Sequence, residues 1–562
     1  MLKKKQKNKR RTTPTPSPYW AAKQAFDEAL RLQNKGRSQE AWKILKPFAE
    51  GDQPVTQVLE LFVDVCSSIG DWAGVFFTAE RLTRQRQDKL DYMSLLKSSF
   101  ELHLPASLQH SLVTLERNWP GMVSIGNEKA LHEICELWMS ETFPAFQKEY
   151  PTARTEDFLE LMRLHEKSLI GLGSKRYRST VKAATKLIQL FPYFTPAYNN
   201  RAMAQVHSYG YSRAAEMIDA ALEHDPESLF ALGLRARQLG IMDKKEELEA
   251  TLEKIHETIR KKESQPDALT FTQLATAAEA FASLNREDDV ILLQEKAVHL
   301  KRHAEDLIGE DEENFGWLTH LSAVALAKKG NTAEAKKRWE EARKYVKSDI
   351  VNENLADLKK KPGLQNGPWY VEFQKLIPEF IIEKIGEGVK QIREGGSAQN
   401  SEDVVVRKVC QEIESDCPEF HRYLIKALWD GGPHAREFVE AIGLKYTHPE
   451  LTKAIIAFCE TPLGTDDYRQ ALTNQLLNDR HLKPGPAIRW NQGERTEMIL
   501  CMFCVTRESR IEGVLPPKAE KDVGDAFELM SQKRFSEAAG IFEKILPSLP
   551  KYPAAHYLYC WN

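Results

Sequence analysis

Apolar residues recur along most of the chain at three- and four-residue spacing, the period of a helix with one buried face. The runs come in pairs. AFDEALRLQNKGRSQEAWKIL passes from one apolar helix through a short polar turn at Gly36 into a second, and ELFVDVCSSIGDWAGVFFTAERL does the same around Gly70. Pro192 and Pro226 each close a similar pair, ending KRYRSTVKAATKLIQLFP and SRAAEMIDAALEHDP. Two more copies are LSAVALAKKGNTAEAKKRWEEA, turning at Gly330, and AFELMSQKRFSEAAGIFEKILPSLP near the C-terminus. The step from Gly36 to Gly70 equals the step from Pro192 to Pro226. A fixed period of about 34 residues marks a repeat architecture, in which one helix pair cannot bury its face alone and neighbours must stack.

The copies hold small and large residues at fixed places. The one ending at Pro226 has Tyr198, Ala202, Tyr211, Ala214, Ile218 and Ala221; the one at Gly330 has Ala323, Ala335, Trp339 and Ala342; the last has Phe535, Ala538, Phe542 and Pro550. Weaker copies occupy 228–258, with Ala236, Leu248, Leu252 and Ile255, and also 268–300 and 92–120. This arrangement resembles the tetratricopeptide repeat (TPR). The resemblance covers roughly 20–350 and 519–562, is degenerate between the clear copies, and implies an all-α, right-handed α-solenoid of helix pairs.

The pattern stops near Lys347. DLKKKPGLQNGPWY carries Pro362-Gly363 and Gly367-Pro368, strong helix breakers. The expected organisation is a basic, Pro/Thr-rich tail at 1–19, a repeat array at 20–350, a linker at 351–368, a helical region of unknown type at 369–515 and a C-terminal repeat at 516–562. The region 369–515 keeps helical spacing but is heavily punctuated, with a short strand open at Val404–Val406 or within 497–506. KYPAAHYLYCWN after Pro550 reads as a terminal helix packed on its own array, with an uncovered surface for a partner as the alternative.

Composition adds the class of the chain. Of 562 residues, 42% are hydrophobic and 28% charged, as in an ordinary folded protein. Mean hydropathy is −0.48. No apolar run approaches the roughly 18 residues needed to cross a membrane, which excludes a transmembrane helix. The net charge of −3 conceals an asymmetry. The segment Met1–Pro18 carries Lys3, Lys4, Lys5, Lys7, Lys9, Arg10 and Arg11 and no acid, so the rest of the chain is more acidic than the total suggests. The tail lacks the apolar stretch of a secretory signal. Eight cysteines are too sparse for a disulfide framework. A cytoplasmic location is expected.

Candidate chemistry is thin. Cys501 and Cys504 form a CxxC pair inside the apolar MILCMFCV, where buried thiols acting as small apolar groups are the expected reading over half a zinc site or a redox couple. Cys410, Cys417 and His421 match no common zinc spacing and read as a surface turn. His421, His434, His448 and His481 read as scattered surface groups. Gly386-Glu-Gly388 lacks the third glycine and the strand of a dinucleotide fingerprint, and no P-loop, HExxH or GxSxG motif occurs. No metal, cofactor or catalytic residue is expected. Lys3, Lys4, Lys5, Arg10 and Arg11 could contact phosphates in a salt-sensitive, sequence-blind way, although a solvated tail is the simpler expectation.

In the TPR family the first helices of successive repeats line a concave groove for peptides. The resemblance implies that Asn199, Met203, Val206 and His207, then Phe230, then Trp317, His320, Val324 and Lys328 face such a groove. The carboxylate clamp of chaperone-binding members is incomplete: Asn199 has a suitable offset, but His165 and Leu169 before it and Phe230 and Leu234 after it do not match. The leading expectation is a non-enzymatic scaffold or adaptor that seats a protein or peptide partner in this groove. The alternatives are a nucleic-acid-associated adaptor working through the tail and an enzyme with its site in 369–515. A shared fold does not choose among these.

Overall fold

The computed structural model describes residues 18–51, 54–151, 154–264, 269–301, 310–361, 363–394, 402–500, 517–532 and 534–548. These residues are almost entirely helical, and the expected all-α repeat solenoid is what they form. Two compact units divide between Ala204 and Gln205.

The first unit comprises α1 (Pro18–Gln33), α2 (Ser38–Ala49), α3 (Thr56–Ile69), α4 (Trp72–Arg86), α5 (Lys89–Glu101), α6 (Pro105–Asn118), α7 (Ile125–Glu149), α8 (Thr155–Gly173), α9 (Tyr177–Leu190) and most of α10 (Thr195–Tyr209). Its turns follow local chemistry. Gly70 ends α3 with φ +74°, a left-handed conformation that costs glycine little, and its backbone N–H satisfies carbonyls of the last helical turn. Asp71 then caps α4, accepting from the Gly74 N–H at 2.8 Å. The same carboxylate accepts from Trp42 Nε1 at 2.9 Å and lies 3.4 Å from the buried Arg176 guanidinium, which ties three helix pairs together. Close approach also needs small residues: a Cβ on Gly171 would stand 2.3 Å from Thr180 Oγ1 on the neighbouring helix.

The second unit continues with α11 (Tyr211–His224), α12 (Leu229–Ile241), α13 (Lys245–Glu263), α14 (Phe271–Ser283), α15 (Glu287–Lys301), α16 (Glu310–Lys328), α17 (Thr332–Ala342) and α18 (Ile350–Leu358). One apolar core runs from Leu229 to Tyr370. The repeat positions are buried: Ala214, Ile218, Ala221, Ala236, Ala323, Ala335 and Ala342 are fully buried, and Trp339 is 1% exposed. Small residues bring the paired helices together and the indole fills the space between repeats.

Beyond α18 lie α19 (Phe373–Leu376), α20 (Glu379–Glu394), α21 (Glu402–Asp416), α22 (Phe420–Asp430), α23 (Pro433–Tyr446), α24 (Pro449–Cys459) and α25 (Asp466–Asn478). An antiparallel hairpin follows, β1 (Gly485–Asn491) with β2 (Glu494–Leu500), and then the pair α26 (Pro517–Ser531) and α27 (Phe535–Ile545). Val404–Val406 is helical, within α21, so the strand open there does not form. The second open strand position partly coincides with β2. The hairpin turns at Gln492 and Gly493, both with positive φ, the geometry whose twist matches paired strands. Residues 350–358, at the start of the stretch read as a linker, form α18.

Candidate functional site

The second unit holds a segment of its own chain against its repeats, and α18 begins the construction. Asp357 accepts from the backbone N–H groups of Asn366 and Gly367, both at 3.0 Å. Asn354 accepts from the Trp369 N–H at 3.1 Å and donates to its carbonyl at 3.2 Å. These bonds turn the chain so that Trp369 and Tyr370 enter the core beside α16.

His320 lies at that junction, fully buried. Trp339 Nε1 donates to His320 Nδ1 at 3.2 Å, and the Tyr370 carbonyl is 2.9 Å from Nε2. An indole N–H only donates and a carbonyl only accepts, so the imidazole is neutral with its proton on Nε2. Burial pushes its pKa down to about 4. Lys375 places its ammonium 4.7 Å from the centre of the Trp317 ring and 3.9 Å from Glu279 on α14. Lys328 stands 4.3 Å from the centre of the Tyr370 ring and 2.9 Å from Asp430.

Helix α22 extends the contact along the turns between paired helices. Glu419, just before it, accepts from the Ser212 N–H at 3.0 Å and the Ser212 hydroxyl at 2.8 Å, at the N-terminus of α11. The Tyr423 hydroxyl oxygen accepts from the Tyr211 N–H at 3.1 Å, and the two rings stack 6.3 Å apart. Arg422 donates to the Ile241 carbonyl at 2.8 Å at the end of α12, and Lys426 donates to the Ser283 carbonyl at the end of α14. An acid thus meets a helix start and cations meet helix ends, the signs the helix dipoles favour. Burial raises the Asp430 pKa, but Lys426 and Lys328 outweigh this and hold the carboxyl below the usual range. Gly210 makes the approach feasible: its φ is +85°, and a Cβ there would stand 3.0 Å from Cys417 Sγ and Glu419 Oε1.

The expected groove residues therefore divide. His320 and Lys328 are engaged by Tyr370 and Asp430 of the same chain, and Trp317 lies beneath Lys375. Asn199, Met203 and His207 on α10 and Phe230 on α12 are half-buried, and Asn199 Oδ1 has no hydrogen-bond partner. Lys3, Lys4, Lys5, Arg10 and Arg11 lie outside the described residues, as do Cys501, Cys504 and the segment after Pro550. The turn expected around Cys417 forms between α21 and α22, with Asp416 and Pro418 exposed, but the Cys410 and Cys417 side chains are buried, and burial raises both thiol pKa values, Cys410 to about 12. His421 and His448 are not scattered: their rings stack 3.8 Å apart. The α22 contacts were missed at the sequence level. Their signal was the spacing of Glu419, Arg422, Tyr423, Lys426 and Asp430, three or four apart on one helical face.

No family model and no curated protein matches the sequence. Solved structures resemble the chain at low scores. A tetratricopeptide repeat protein from Parabacteroides merdae is 12% identical, aligns over 61% of this chain and 100% of its own, and has a TM-score of 0.29. Yeast Tom70 is 12% identical over 83% of this chain and 97% of its own, at 0.23. The Naa15/Naa10 complex bound to HypK-THB gives 14% identity over 80% and 74%, at 0.21. Superposition at these scores is poor, and no function is carried over from them. The helix pairs themselves, with their buried small residues and inter-repeat aromatics, decide the class. The described residues form degenerate helix-pair repeats that resemble the tetratricopeptide repeat. Among its described residues, no helix of this TPR-like chain is long and apolar enough to cross a membrane.

Proposed function

We propose that this TPR-like chain is a non-enzymatic scaffold that binds a protein partner through the first helices of its repeats. The observation that supports this reading is the docking of α22 and residues 369–376. The repeat surface holds a peptide segment with one tyrosine anchor, backbone carbonyls that accept from Arg422 and Lys426, and a lysine that pairs with Asp430. The same kinds of group serve a partner segment supplied from another chain. The half-buried first-helix positions are the proposed partner contacts, Asn199 and Met203 in the first unit and, separately, His207 and Phe230 in the second. The acidic body favours basic partner segments.

The test is affinity purification from cells with the intact chain and with a variant carrying Asn199→Ala, Met203→Ala and Phe230→Ala. Partners should be lost from the variant while its helical content and melting are retained. A folded variant with an unchanged partner set would overturn the reading.

A further inference from the structure

The region 402–460 brings together three groups of metal-binding chemistry from three separate elements. Glu414 comes from the last turn of α21, His421 from the first turn of α22, and His448 from the residue that precedes α24. One donor atom from each lies within 4.8 Å of the other two. The imidazoles are stacked 3.8 Å apart with 14° between their planes, an arrangement that their separation along the chain does not announce.

Two further observations point to a ligand. His421 is 8% exposed, and its Nδ1, like that of His448, is buried with no hydrogen-bond partner. A buried polar nitrogen left in this way is desolvated without compensation, which a bound cation would offset. On the other side of the His421 ring, Nε2 also lacks a hydrogen bond, and Glu450 Oε2 lies 3.2 Å from it. A carboxylate there would hold the proton on Nε2 and leave the Nδ1 lone pair for a metal, the usual outer support of a ligating histidine.

We propose that Glu414, His421 and His448 form a binding site for a divalent transition ion of the zinc class, with Glu450 orienting His421. Two imidazoles and one carboxylate are a borderline-soft donor set that suits zinc better than calcium or magnesium and leaves a fourth position for water. An ion bound by an imidazole lies in the plane of the ring, so binding requires the stack to open, each ring turning about its Cβ–Cγ bond until the two lone pairs converge. Because α22 carries both His421 and the Tyr423 and Lys426 contacts to the repeats, the ion would fasten α21, α22 and the start of α24 into one block at the docking surface.

The test uses the full chain, freed of metal with a chelator and titrated with zinc against a chromophoric competitor, then with cobalt for its visible spectrum. His448→Asn and Glu414→Gln are the informative variants, since both side chains are partly exposed and tolerate replacement better than His421. His434→Asn serves as a control outside the cluster, and His132→Asn tests the other group, Glu116, Glu128 and His132, which also places donor atoms within 4.8 Å. One zinc per chain should bind, with affinity falling at least tenfold in His448→Asn and Glu414→Gln and unchanged in both controls. The cobalt form should show d–d bands without a thiolate charge-transfer band. Absence of zinc binding, equal binding in His448→Asn and Glu414→Gln, loss in His132→Asn instead, or a thiolate band would each overturn the proposal.

Discussion

The repeats of the second unit and the α22 contact use opposite means of cohesion. Between Leu229 and Tyr370 the repeats share one continuous apolar core, and each contact is made by a residue type that recurs with the period. The α22 contact is polar and individual: one carboxylate at a helix start, two cations at helix ends, one tyrosine pair and a buried Lys–Asp–Lys group. The difference teaches how each part responds to change. Apolar stacking is non-directional and tolerates a degenerate sequence, provided volume is kept. A hydrogen-bonded contact depends on each partner, because a group left behind remains desolvated.

The largest expected effect is on the apolar side. Trp339→Ala removes the indole from the space between repeats and also takes the donor from His320, so it should cost about 3–5 kcal/mol. Denaturant unfolding followed by far-ultraviolet circular dichroism checks this, and a loss below about 1 kcal/mol would break the comparison. Next is Asp430→Asn, which leaves Lys328 and Lys426 without their counter-charge. Sealed pairs lose about 3–5 kcal/mol when broken, but both lysines are about a fifth exposed, so about 2 kcal/mol is expected. The loss should be local: faster amide exchange and proteolysis in 402–446, with Leu229–Val346 unaffected. Equal loosening of both regions would mean that the contact is part of the core.

The smallest effect contrasts two buried carboxylates by pH. Glu166, in the first unit, accepts from the Ala106 and Ser107 N–H groups and the Ser107 hydroxyl, yet burial raises its pKa to about 7. The folded chain then holds a proton that the unfolded chain has released. Its contribution to stability is full below the ordinary glutamate range and falls as pH rises from about 4.5 to about 7. Asp430 has the opposite sign: its lowered pKa gives a contribution present above the ordinary aspartate range and lost as pH falls below it. In melting curves taken from acid to mildly alkaline pH, Glu166→Gln should flatten the near-neutral decline and Asp430→Asn the acid one. The reverse assignment would refute the account.

Sequence legibility follows the same division. Ala323, Trp339 and Ala342 announce their burial because the repeat imposes the same environment on each copy. The polar face of α22 is legible in its spacing but its partners are not, because Glu419 and Ser212, or Lys426 and Ser283, are brought together by the path of the chain between them, and no local spacing encodes that path. The stacked histidines were hidden for the same reason. The hairpin is only partly legible for a different one: a short two-stranded element has little periodicity, and its Gln-Gly turn is a weak signal beside the surrounding helical spacing. Among the expected groove residues, His320 lies in the core against Trp339 and Tyr370, and Lys328 pairs with Asp430 of the same chain.

Lys328 and Asp430 are 102 residues apart. At roughly 5–20 residues per second of synthesis, the lysine leaves the ribosome about 5–20 seconds before the aspartate that will pair with it. For that interval the repeats already have their own helices but not their cover. Each newborn molecule therefore passes once through an open form, and whatever meets it in that window encounters a surface the finished protein keeps closed.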